Sequence, residues 1–246
     1  MGKHLMLKKK GLSLAVAIML GTSIVGFSGQ AAAFGLGDIG IGDSQAGAAS
    51  NFDIDGLSNK QEAMLDKLYD SVVLFNSAVL EVEVALELAP EIVIEQQAIC
   101  DNLNADKTNQ EYLKKAANHK IPFKEIKAAS QAILASGDQE RIAAIDQAVR
   151  SAEMKKQSAN VYTGFALKDA VDVIKEGAGG MKGFDGAVKV QGIVSSAQTA
   201  QKICNSQNKQ ISEFNNALKS YKESQNIQAP SEQEAITAAE IWLKDR

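Results

Sequence analysis

Histidine is nearly missing from this chain of 246 residues: His4 sits near the start, and His119 is the only other one. A nucleophilic triad would have to rest on His119 alone, and neither GxSxG nor HExxH occurs. Proline is confined to Pro90, Pro122 and Pro230, and aromatic residues make up 5% of the chain. Strand-like alternations of apolar and polar residues are few while alanine is abundant, which disfavours a β-rich fold and leaves long helices. Cysteine occurs twice, as Cys100 and Cys204, without the CxxC spacing typical of a redox pair. Carboxylates are plentiful, but no spacing singles out a pair for acid–base work. No catalytic residue, cofactor or metal ligand is assigned from the sequence.

The basic residues are unevenly placed. Lys3, Lys8, Lys9 and Lys10 precede an uncharged, mostly apolar run from Leu12 to Phe27, followed by Ala31, Ala32 and Ala33. This is the pattern of a secretory signal peptide, with cleavage expected after Ala33 and the mature protein expected in the periplasm or outside the cell. The apolar run is short and poorly flanked for a transmembrane helix. Without those four lysines the chain carries 22 basic against 30 acidic residues, a net charge of −8 with histidine neutral. That charge argues against nucleic acid and anionic membrane surfaces as default partners. In an exported chain a lone cysteine pair is expected to form a structural disulfide. A Cys100–Cys204 bridge would close a loop of about 100 residues, worth up to about 4.7 kcal/mol in the chain-entropy model.

What is present is helical periodicity. From residue 190, alternating steps of three and four pass through Val190, Ile193, Ala197, Ala200, Cys204, Gln207, Ile211, Phe214, Leu218 and Tyr221. That is a heptad seam, with Gln207 as its one plainly polar member and a natural register residue. The same steps run through Leu65, Leu68, Val72, Phe75, Val79, Val82, Leu86 and Ala89. There Tyr69, Val73, Leu80 and Val84 widen the stripe beyond what one neighbour can cover. A third seam carries Ile142, Ile145, Val149, Ala152, Ala159, Ala166, Ala170 and Val173, weakened by Lys156 and Thr163. Five glycines between Gly177 and Gly186 are expected to end that helix near Lys175 and form the tip of an antiparallel hairpin. Met181 and Phe184 make the tip partly apolar and mark it as a candidate interaction site. Capping boxes are expected at Ser58–Gln61, Thr108–Glu111 and Ser231–Glu234. Shorter helices are expected near 91–104, up to His119, from Phe123 to Ser136, and after Pro230, with Trp242 as a packing anchor.

Two patterns invite a metal reading. Asn51, Asp53, Asp55, Gly56 and Glu62 approach the spacing of a calcium loop, but an acidic turn at a helix N-terminus accounts for the same residues. Glu83, Glu87, Glu91 and Glu95 recur every four residues. Di-metal bundles also need Glu-x-x-His pairs, and Ala116 stands three residues before His119. The ladder is therefore expected to be a solvated acidic face, and His119 to sit in the last turn of its helix, where a cation suits the dipole.

The expected fold is all-α: an elongated helical bundle built on a long antiparallel hairpin, with shorter helices packed alongside. Residues 34–56, rich in glycine, are expected to be a flexible leader, and residues 57–246 a single bundle domain. The expected function is that of an exported, non-catalytic scaffold or interaction protein with a protein partner. Self-association is a further way to bury such long seams. The alternative is a membrane-active protein with its tip at residues 177–194. In layout alone, on no sequence motif, the chain resembles α-helical pore-forming toxins of the cytolysin A type.

Overall fold

The computed structural model describes residues 52–107, 109–180 and 186–244. Among them run α1 (Ile54–Ala85), α2 (Pro90–Ala105), α3 (Gln110–Asn118), α4 (Phe123–Ser136), α5 (Gln139–Gly180), α6 (Ala187–Ser224) and α7 (Glu232–Lys244), with no strand. The 42 residues of α5 and 38 of α6 make rods of roughly 60 Å at 1.5 Å per residue. These two helices form the hairpin, and α1 lies along both. Lys60 pairs with Glu176, Lys67 with Asp169 and Glu81 with Lys155, so α1 and α5 run antiparallel. Asp55 faces Lys189, and Phe75 meets Phe214 edge to face at 5.9 Å, so α1 and α6 run parallel. The shorter helices flank this trio: α2 on α1, α3 against α1, α2 and α6, α4 against α6, and α7 along α5.

The seams close the core. All ten seam positions of α6, from Val190 to Tyr221, are buried. On α5 the eight apolar seam residues are buried, and so are Lys156 and Thr163. The next step of the same count is Gly177, also buried. On α1 the seam is buried from Leu68 to Leu86, whereas Leu65 is half-buried, Val84 is exposed, and Ala89 lies exposed beyond the helix end. Ser71, Thr163 and Gln207 meet in a polar layer between two apolar clusters. One cluster holds Leu68, Val72, Ala166, Ala170 and Ala197; the other holds Phe75, Val79, Ala159, Ile211 and Phe214. Ser71 Oγ donates to the Ala159 carbonyl at 2.8 Å, Thr163 Oγ1 donates to the same oxygen at 2.8 Å, and Gln207 Nε2 donates to Ser71 Oγ at 2.5 Å. A helix slipped by one residue would bury these groups without partners, at about 1–3 kcal/mol each, so the layer favours one register.

The helix ends differ from expectation in identifiable ways. Asp53, not Ser58, caps α1: its Oδ1 accepts from Gly56 N–H at 2.8 Å. A side chain on residue 56 would collide with that carboxylate, so Gly56 makes the earlier start possible and residues 54–56 belong to α1 rather than to the leader. Thr108 lies outside the described residues, and Asn109 caps α3 by accepting from the Glu111 and Tyr112 amides. α1 ends at Ala85, and Pro90 opens α2, where its missing N–H costs no bond. The box at α7 is as read: the Ser231 amide donates to Glu234 at 2.8 Å, and the Glu234 amide donates to Ser231 Oγ at 3.3 Å. Trp242 packs on the second apolar cluster with Lys155 Nζ 5.4 Å from its ring.

Candidate functional site

The hairpin end is shaped by Gly177. The sequence places a helix break here, yet α5 runs on to Gly180. A β-carbon on residue 177 would stand 2.3 Å from Val194 Cγ2 and 3.6 Å from Leu57 Cδ2 and Val190 Cγ1. Gly177 therefore gives up helix propensity to let α6 approach, and the lost propensity is offset by that packing. Beside it, Phe52, Asp53, Gly56, Leu57, Lys60, Glu176 and Gly179 line an open groove of about 340 Å³. Lys60 Nζ bonds both oxygens of Glu176, at 2.6 and 2.8 Å, across its rim. At the same end of the bundle, near the start of α6, Val188 is 81% exposed. Met181 and Phe184, the residues singled out at this tip from sequence, lie outside the described residues.

The calcium spacing meets a helix. Asp53 is engaged as an N-cap, and residues 54–62 are helical rather than looped. Asp55 is exposed and 3.8 Å from Lys189. Among the described residues no group of three or more His, Cys, Asp or Glu side chains is arranged to hold a metal. The glutamate ladder is divided by the turn between α1 and α2. Glu87 is exposed and pairs with Arg141 at 2.7 Å, Glu91 is exposed, and Glu95 lies 3.5 Å from His119 Nδ1. Glu83 corrects the reading of a solvated face: it is fully buried, and neither carboxylate oxygen has a hydrogen-bond partner. Burial, reinforced by Glu95, pushes its carboxyl up to about 8. His119 sits at the C-cap of α3, just past its last turn, and burial lowers its pKa against the opposing pull of Glu95, so the expected cation is disfavoured.

A second charged group inside the bundle was not foreseen. Glu153 Oε1 accepts from Lys156 at 2.5 Å and Oε2 from Lys222 at 3.0 Å, tying α5 to α6. Glu153 and Lys156 are both buried. Burial lowers the Lys156 pKa against the pull of Glu153. Lys156 occupies a regular seam position, so the sequence signal was its register rather than its chemistry. Cys100 in α2 and Cys204 in α6 are both buried, the structure contains no bond between them, and burial pushes the Cys204 thiol up to about 12.

The fold defines the class of protein, an elongated all-α bundle of seven described helices. Beyond that class, the chain matches no protein-family model, no curated protein and no solved structure. No described helix is long and apolar enough to cross a membrane.

Proposed function

We propose that the protein is an exported, non-catalytic scaffold that binds a protein partner through the hairpin end. The observation that carries this reading is the groove at the hairpin end, where Phe52 and Leu57 lie beside the Lys60–Glu176 ion pair, with Val188 highly exposed at the same end of the bundle. An apolar centre with a charged rim suits a protein interface. The interior polar groups around Ser71 and Glu153 serve helix-to-helix contacts instead. Cleavage after Ala33 and a Cys100–Cys204 bridge belong to the same proposal, since both cysteines are buried and export exposes the chain to oxidation.

The test places a photo-cross-linker at position 188 in a host that exports the chain, and adds full-length protein to neutral and anionic liposomes. The reading expects one dominant protein adduct, lost with Lys60→Glu, and no liposome binding. Dye release suppressed by Val188→Asp would replace it with the membrane-active alternative, and absence of any adduct would reject the interface. Mass spectrometry after alkylation checks the bridge: two labelled cysteines in denatured, unreduced protein from the export compartment would reject it.

A further inference from the structure

The first half of α2 is thinly held. Its buried residues, Gln96, Ile99, Cys100 and Leu103, begin only at the seventh position. From Pro90 to Glu95 only Ile92 and Val93 are half-buried, and Ile94 is 68% exposed. The connection from α1 contains Glu87 at φ 52°, a left-handed conformation that a glutamate tolerates with strain. On α1, near enough to Glu95 of this arm to feel its charge, Glu83 has no hydrogen-bond partner, and the carbonyl oxygen of the Gln96 amide is likewise buried and unpartnered. Gln96 Nε2 donates to Asn76 O at 3.1 Å and Asn76 Oδ1 at 3.0 Å, which anchors α2 at the residue that follows the loose stretch.

We propose that Glu83 is a proton-controlled latch: while neutral it lets the arm of residues 90–95 lie on α1, and loss of its proton swings that arm away about the Glu87 turn. This inference is independent of the partner reading. The charges on the elements packed around α1 do not offset an ionised Glu83. On α5, Lys155 is engaged by Glu81 and Arg141 by Glu87. From α3, His119 faces Glu95 and is itself held towards neutrality by burial. On α6, Lys209 and Glu213 pair with each other at 3.9 Å. On α2, Glu91 is exposed, and Glu95 adds like charge that acts with burial to hold the closed-state carboxyl near 8. When the arm opens, water restores the ordinary value near 4.5. The closed arm is thus most secure below about pH 4.5. Its opening constant grows by up to about tenfold per pH unit until about pH 8 and levels off above that.

Hydrogen exchange of the 93–97 amides in the full-length protein, corrected for intrinsic rates and referenced to α6, tests this. Protection of these amides should fall at least about 100-fold between about pH 5 and about pH 8. In Glu83→Gln it should stay flat with pH, and Glu95→Gln should move the midpoint to lower pH. Identical pH profiles in wild type and Glu83→Gln would overturn the latch. Should Glu83→Gln not fold, carboxyl carbon-13 titration of Glu83 in the wild-type chain decides: a midpoint near 8 supports it, and one near 4.5 overturns it.

Discussion

Replacing Gly177 with alanine sets two magnitudes against each other. Alanine in a helix interior is favoured over glycine by about 1 kcal/mol, so propensity alone predicts a more stable protein. The new β-carbon, however, would stand 2.3 Å from Val194 Cγ2. Val194 is 6% exposed on α6, and its branched side chain has essentially one good rotamer in a helix. Relief must come from moving α6, and overpacking of this kind costs typically 1–3 kcal/mol. Taking about 2 kcal/mol for the clash leaves Gly177→Ala less stable by about 1 kcal/mol. The assay is a double-mutant cycle in urea. Val194→Ala alone loses roughly 2 kcal/mol of buried apolar surface. On that background Gly177→Ala should become stabilising by up to about 1 kcal/mol, a coupling of about 2 kcal/mol. Gly164, with nothing within 4 Å of an added β-carbon, is the control and should gain about 0.5–1 kcal/mol on becoming alanine. A Gly177→Ala protein as stabilised as Gly164→Ala would refute the close-approach argument.

Further outcomes follow from the buried and half-buried polar groups. Glu153→Ala leaves Lys156 and Lys222 without their shared carboxylate and should cost about 3–5 kcal/mol, read from urea midpoints; a loss below about 1 kcal/mol would show that these charges reach water. Ser71→Ala strands Gln207 Nε2 in the core and should cost about 1–3 kcal/mol. Gln207→Leu also removes the unpartnered Oε1 and should change equilibrium stability by less than about 1 kcal/mol, so an equal loss in the two variants would contradict the accounting. His119, depressed by burial, should titrate below about 6.5 by proton NMR. Because the unfolded chain takes up this proton first, its contribution to stability is present above about pH 6.5 and is lost as pH falls towards the folded-state value; a midpoint above 6.5 would reverse the sign.

The sequence by itself determined the helices and their inward faces. A three-and-four count needs no knowledge of the partner, and every seam position read on α6 is buried. Local capping chemistry was legible where the box was complete, as at Ser231 and Glu234. It failed at Ser58 because a competing cap, Asp53, lay beside a glycine that alone fits it. The tertiary structure decided whatever depends on a second helix. Gly177 reads as a helix breaker in isolation and is a packing residue once Val194 faces it. Lys156 and Thr163 read as flaws in a stripe and are the residues that meet Glu153 and Ser71. Glu83 reads as one rung of a solvated ladder because spacing of four is blind to the turn at Glu87 that folds α2 back over it. Periodicity reports which face of a helix is inside; the chemistry on that face is set by what the opposite helix brings, and only the fold supplies it.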